Sequence, residues 1–340
     1  MLCLVLSTLA AVEPTAATVD DWYQEERQLY SGIPIQVRFA PANPVLAAEV
    51  WRYLVQIDEV FNDYRDDTEI GRINASGPGS HVLSMQLAEA FAGSAHLHLV
   101  SDGAFDITVG PLRRLWKLAA KSGNMPSPAA LASARSAVGP TSWHLNGNRL
   151  EVLKPGVKFD FGGVIKGMSV DHAMNLLITA GVRAALVQSG GETGCFGLSP
   201  RGAQHVLGIP DPDAPDERSW CTITDPGSGF SGSTSGNYRQ AIVIGNRPYY
   251  HIFDPRSGEP IAVQVLSVSV AFPMNGRNGL ADGLTKVGAV LGWQRLLPLV
   301  ERLGGQALVL TREDSRVVEH ASSGWSRLVK RPHQEGPLQP

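Results

Sequence analysis

The spacing of apolar residues changes repeatedly along this chain, and each change marks an element. Ile35, Val37 and Phe39 alternate with other residues and predict a strand over 33–39. Pro44 then opens a stretch in which Val50, Trp51, Leu54, Ile57, Val60 and Phe61 recur at helical spacing, the face of a helix that packs on a sheet. Ser84 is placed to cap a second helix that runs through Leu87, Phe91 and Leu99 until Gly103 breaks it. Residues 105–111 read as a loop or short strand, 112–116 as an Arg-bearing turn, 121–128 as a surface connection and 129–137 as a short helix.

Downstream, the Asn146-Gly147 pair suits a tight turn between two strands, and the apolar run 157–161 reads as another strand. A helix is expected over 164–180, ending at Gly181, followed by a buried strand over 184–188. Residues 208–237, with many Pro, Gly, Ser and Asp, are expected to be turns. A hairpin about Gly245-Asn246, a strand over 266–272, helices over 279–291 and 294–303 and strands over 307–311 and 317–319 complete the set. Hairpins interspersed with helices predict an α+β fold of largely antiparallel sheets with packed helices. The expected organisation is a signal-like leader over 1–20, a single domain over 21–328 and a disordered tail over 329–340.

Composition narrows the partners. At 340 residues, 43% hydrophobic and 18% charged, the chain can bury a sizeable core without staples. A formal charge of −3 with no run of Lys or Arg supplies no basic field for nucleic acid. Residues 2–11 are ten in a row without charge, half the length of a membrane span. That length fits the apolar core of a secretory signal, with small residues up to Ala17 for cleavage but no positive start, so export to the periplasm or cell envelope is the expectation. Cys3 lies in the leader; Cys195 and Cys221 read as buried small residues rather than a pair.

The most informative segment is Asp160-Phe-Gly-Gly-Val-Ile-Lys-Gly-Met-Ser-Val-Asp171. Its glycines let the backbone run close to a ligand, a helix begins just after them, and Lys166 adds a positive charge beside the free N–H groups of that helix. This suits a phosphate-bearing ligand, with Asp160 free to hold a hydroxyl, a base edge or a hydrated cation. Three further segments stand in order along the chain: Gly103-Ala-Phe-Asp-Ile-Thr-Val-Gly-Pro-Leu112, His251-Ile-Phe-Asp-Pro-Arg-Ser-Gly258 and Ala281-Asp-Gly-Leu-Thr285. Together with Phe61-Asn-Asp-Tyr64, Glu69 and Asn74, these resemble the ApbE-type flavin transferases, the FAD:protein FMN transferases, over roughly residues 27–310.

The resemblance implies a T-fold-like architecture with the flavin site between two halves. It implies transfer of FMN from FAD to a threonine hydroxyl of a target protein, as a phosphoester, with release of AMP and with Mg²⁺ as metal cofactor. The implied acceptors are subunits of membrane redox complexes. The same residues leave open an Mg²⁺-dependent FAD pyrophosphatase, or a flavin-binding protein with impaired catalysis. Carried over by position, His251 is the candidate general base and Asp282 the principal catalytic acid residue on the metal. Gly163 (through its carbonyl), Asp282 and Thr285 form the implied metal set, and Tyr64, Ala104, Phe105, Asp106, Asp160, Lys166 and Phe253 the implied cofactor contacts. Phe105 also reads as a core residue, Phe253 as a contact through its backbone, and Asp254 as a turn residue. Gln188-Ser-Gly-Gly-Glu192 is expected to shape the pocket wall.

The chain departs from the family pattern in two places. Lys286 stands where the family has its metal-binding threonine, and Ser31-Gly-Ile33 replaces a Met-Gly-Thr cofactor contact. An ammonium beside Mg²⁺ would repel it, whereas one in its place could pair with a phosphate. With the metal retained, Asp282 is expected to be an exposed ligand whose replacement by Ala spares the fold. Gly227-Ser-Gly-Phe-Ser-Gly232 is not followed by a helix, as a dinucleotide fold requires, and His96 and His98, two residues apart on a helix, cannot face one metal.

Overall fold

The computed structural model describes residues 21–30, 32–227, 229–236, 241–244, 247–250, 252–261, 264–273 and 275–331. In chain order its strands and helices are β1 (Tyr23–Leu29), β2 (Ile33–Ala40), α1 (Pro44–Phe61), α2 (Glu69–Ser76), β3 (Gly79–Val82), α3 (Met85–Val100), α4 (Gly110–Ser122) and α5 (Pro128–Ser136). There follow β4 (Trp143–Asn146), β5 (Arg149–Val152), α6 (Ile165–Thr179), β6 (Ala184–Ser189), β7 (Glu192–Phe196), β8 (Val206–Pro210), β9 (Ser219–Thr224) and β10 (Phe230–Gly236). The chain closes with β11 (Ala241–Ile244), β12 (Arg247–Tyr250), β13 (Val265–Phe272), α7 (Asn278–Leu291), α8 (Trp293–Arg302), β14 (Gln306–Glu313), β15 (Arg316–Ala321) and β16 (Val329–Arg331). The proposed leader, Ser31, His251 and residues 332–340 lie outside the described residues.

Eight strands form one sheet in the order β1-β2-β6-β7-β10-β13-β14-β15, and every pairing in it is antiparallel. Smaller sheets, β3-β5-β4, β16-β9-β8 and β11-β12, surround it. The alternation seen at Ile35, Val37 and Phe39 puts all three side chains into a buried layer with Val50, Trp51 and Leu54 of α1 and Val170, Met174 and Leu177 of α6. A larger apolar cluster joins Phe91, Phe159 and Phe161 to α7 and to Val268 and Val270 of the sheet. Cys195 and Cys221 are free and buried together in a third cluster on the opposite face.

Four expectations need correction. Residues 112–116 are not a turn; Leu112, Trp116 and Ala119 recur at helical spacing and bury one face of α4, which Pro111 starts and Gly123, left-handed at φ 71°, ends. The stretch 157–161 is no strand, because its backbone is held instead by the Asn74 side chain, whose Oδ1 accepts from Phe159 N at 2.7 Å while its Nδ2 donates to Phe159 O at 2.9 Å. Residues 208–237 include three strands, and β10 lies near the middle of the large sheet. Its Ser and Gly side chains read as turn residues, yet their smallness is what lets α7 approach: Gly232 N donates to Asn278 Oδ1 at 3.1 Å and Asn278 Nδ2 reaches Ser231 Oγ at 3.2 Å. The ordered chain also continues past 328, since Val329–Arg331 pairs with β9.

One contact fixes the geometry of the site. Asp171, near the middle of α6, accepts from Asn278 N and Gly279 N at 2.8 Å each and so caps the N-terminus of α7 from outside that helix. Close crossing is possible because a Cβ on Gly167 would stand only 2.2 Å from Asn278 O. The two helices are thereby clamped with Lys166 of one facing Asp282 of the other.

Candidate active site

A cleft of about 1330 Å³ opens beside this crossing. Among its lining residues are Tyr64, Ala104, Phe105, Asp106, Asp160, Gly163, Lys166 and Phe253, so eight of the sequence-selected positions share one cavity. Lys286 and Glu192 line it too. Asp282 and Thr285 do not; both are fully buried behind the wall. His251, the expected base, lies outside the described residues.

At the floor, Asp282 sits among donors on every side. Lys166 Nζ lies 3.5 and 3.4 Å from its Oδ1 and Oδ2, Gly167 N donates to Oδ2 at 3.1 Å, and Lys286 Nζ pairs with Oδ1. Lys166 Nζ also reaches Glu192 Oε1 at 3.2 Å, and Lys286 Nζ donates to Ser235 Oγ at 3.0 Å. The lysine side chains keep 20% and 16% of their surface exposed while the carboxylates keep 1% or less, so the cations face the cleft and the anions stand behind them.

Burial works against every charge in this group, and the neighbours decide which charges survive. Burial opposes Asp282 ionisation, but the ammonium groups of Lys166 and Lys286 outweigh it and hold the carboxyl below its ordinary range. Glu192 is pushed up to about 7 by burial and by the charge of Asp282. Lys166, buried yet flanked by both carboxylates, is raised above the usual lysine value, whereas burial carries Lys286 below it. Glu192 Oε2 is buried without a hydrogen-bond partner, so the residue expected only to shape the wall is part of the charged centre.

Of the metal set implied by the resemblance, Gly163 lines the cleft, whereas Asp282 and Thr285 lie buried behind its wall. Thr285 Oγ1 donates to Asp282 O at 2.6 Å and shares a 2.7 Å hydrogen bond with Ser235 Oγ, which engages the hydroxyl expected to reach the metal. Asp282 is not an exposed ligand but a buried anion already neutralised. Among the described residues no group of three His, Cys, Asp or Glu side chains is arranged to hold a metal ion. Gly163 is in place beside Lys286, whose Cγ is 3.8 Å from the position of a Cβ there.

The mouth of the cleft is aromatic and basic. Tyr64 is 67% exposed, with Arg113 Cζ 4.9 Å and Lys117 Nζ 4.5 Å from its ring centre. Arg113 also bridges Asp63 and, at 3.1 Å, Asp160, whose other oxygen accepts from Gly162 N at 2.8 Å. Arg113 and Lys117 escaped the sequence reading because their i, i+4 spacing has meaning only once α4 is a helix.

Three expected cofactor contacts have structural duties. Phe105 is buried, with an edge atom 2.9 Å from where a Gly163 Cβ would stand, and so enforces glycine there. Asp106 spends its carboxylate on Thr108 N at 2.7 Å and on His98 Nδ1 at 3.1 Å, raising the His98 pKa by that hydrogen bond. Phe253 is buried, with its ring stacked on Trp116 at 6.4 Å between ring centres, so the ring is committed to the core. Asp254 closes a turn, accepting from Arg256 N at 2.9 Å.

Known proteins share this framework. The chain is 29% identical to the FAD:protein FMN transferase of Vibrio cholerae over 289 residues, 84% of this chain and 85% of that one. It is 26% identical to the protein of the same name from Haemophilus influenzae over 290 residues, 83% of each chain. Its fold is similar to that of the Pseudomonas stutzeri flavinyl transferase ApbE, apo form, with a TM-score of 0.78 and 29% identity over 91% of this chain and 97% of that one. The Vibrio cholerae flavin transferase ApbE superposes with a TM-score of 0.78 and 26% identity over 90% and 99% of the two chains. The profile of the ApbE family matches residues 31–310, and the chain belongs to that family.

Proposed function

We propose that this protein is a FAD:protein FMN transferase that moves FMN from FAD to a threonine hydroxyl of an acceptor protein. The observation that carries the reading is the pair of ammonium groups, Lys166 and Lys286, presented at the floor of a cleft large enough for a dinucleotide. Small-ligand pockets commonly enclose roughly 300–1,000 Å³. Family membership and the names of the relatives support the same activity.

In this reading the threonine oxygen bonds to the FMN-side phosphorus, the bond from that phosphorus to the bridging oxygen breaks, and AMP leaves with that oxygen and the electron pair. His251 is assigned to receive the hydroxyl proton. Lys166 and Lys286 oppose the charge that grows on the phosphate oxygens, where cations held in place before the reaction act most effectively. Tyr64 offers its exposed face to the flavin or the adenine ring, and Arg113 and Lys117 extend the positive lining. Magnesium is the cation such chemistry ordinarily employs, polarising phosphoryl oxygens; here the residues expected to hold it are engaged with one another, so no step is assigned to it. Acceptors on membrane redox complexes, and export to the cell envelope by the apolar stretch near the N-terminus, belong to the same proposal. Incubation of the protein with FAD and a threonine-bearing flavinylation domain should give an acceptor heavier by one FMN and an equivalent of AMP. AMP without an adduct would instead establish a FAD pyrophosphatase, and neither product would refute the assignment.

A further inference from the structure

The crossing of α6 and α7 places a second ammonium, that of Lys286, where a divalent cation is expected. Lys286 Nζ lies against Asp282 Oδ1, faces the cleft and is steadied by Ser235 Oγ at 3.0 Å. Each oxygen of Asp282 has at least two donors within reach, from Lys166, Lys286 and Gly167 N, so the carboxylate has no free edge for a metal. Two ammonium groups face Asp282 and Glu192, so even with both carboxylates ionised the cluster has no net negative charge left to attract a divalent ion. A divalent ion would enter with Lys286 at bonding distance from its ligand and would have to displace it.

Resting on the flavin-transfer reading above, we propose that Lys286 takes the place of the metal ion: Lys166 and Lys286 form a two-ammonium clamp that holds the pyrophosphate of FAD without a divalent cation. Asp282 serves as the buried counter-anion that keeps both side chains aimed at the cleft, and Thr285 braces the Ser235 hydroxyl on which Lys286 rests. The clamp differs from a metal site in a measurable way. Bound Mg²⁺ is removed by chelators, whereas an ammonium on a side chain is not.

The full chain, stripped of metal, is titrated with FAD in excess EDTA and again in millimolar Mg²⁺, with binding followed by calorimetry and flavin fluorescence. Wild-type affinity should change by less than threefold between the two conditions. Lys286→Thr should lose at least tenfold in EDTA, and Mn²⁺ titrated into its FAD complex should give a bound-ion electron paramagnetic resonance signal that the wild-type complex lacks. A wild-type affinity that rises tenfold or more with Mg²⁺, or stoichiometric Mn²⁺ in the wild-type complex, overturns the clamp and leaves the flavin reading standing. Absence of FAD binding in both conditions overturns both. The wild-type titrations decide the matter even if the variant fails to fold.

Discussion

Replacing Asp282 by Ala removes the one carboxylate that, among the described residues, pairs with both lysines of the site, and its effect follows from burial. Asp282 has no exposed surface and sits 3.4 Å from Lys166 Nζ, in contact with Lys286 Nζ and 3.1 Å from Gly167 N. Deleting one partner of a buried ion pair typically costs about 3–5 kcal/mol, because the remaining charge is left in a poor solvent. Because the unfolding entropy grows with length, a loss of 1 kcal/mol lowers Tm by only about 1–2 °C in a chain of 340 residues, so a fall of about 3–10 °C is expected. The loss should be larger at pH 6 than at pH 9.5, since burial already depresses the Lys286 pKa and an uncharged amine tolerates the site better. Adding Lys286→Met to the variant should restore part of the Tm, giving a non-additive double-mutant cycle. Thermal unfolding of the four proteins, followed by circular dichroism, supplies the test. A Tm for Asp282→Ala within 1 °C of wild type, or additive losses in the double variant, would refute the buried-counter-ion account and return Asp282 to the role of a dispensable exposed ligand.

Glu192 predicts a pH dependence of stability. Its pKa stands at about 7 in the folded protein against 4.5 ordinarily, so its contribution is fully present below pH 4.5 and is lost as pH rises through about 7. The loss is on the order of 3 kcal/mol, and Glu192→Gln should flatten that part of the urea-unfolding profile; an unchanged profile contradicts it. Tyr64→Ala should weaken FAD binding about three- to tenfold with no change in Tm, the scale of one aromatic contact on an exposed residue; calorimetry reads the affinity. Gly167→Ala should cost at least 1–3 kcal/mol, roughly the penalty of overpacking, since its Cβ would stand 2.2 Å from Asn278 O; a Tm equal to wild type would show that the α6–α7 crossing relaxes freely.

The sequence disclosed elements wherever side-chain pattern alone dictates backbone. The alternation 35–37–39 and the helical spacing in α1 are of this kind, because an apolar face must be buried whatever lies across from it. It misled where a partner elsewhere in the chain sets the conformation. Phe159 looks like a strand residue, yet its hydrogen bonds go to the side chain of Asn74, 85 positions away. Ser231, Gly232 and Ser233 look like turn residues, yet they form an inner strand because Asn278 needs the space above them. The site followed the same division. The glycine motif with Lys166 was readable, since close backbone approach and a helix start have local signatures. That Asp282 is buried was not, because burial depends on the crossing of α6 over α7. Lys286 was visible as a departure from the family pattern, but its consequence required seeing the ammonium placed against the carboxylate.

The most direct test of the central claim is a structure of the protein crystallised with FAD in the presence of EDTA. The account predicts both phosphates at the floor of the cleft, with oxygens within hydrogen-bonding distance of Lys166 Nζ and Lys286 Nζ and an aromatic ring of the ligand over Tyr64. Phosphates bound away from both lysines, or FAD lodged outside this cleft, would contradict it.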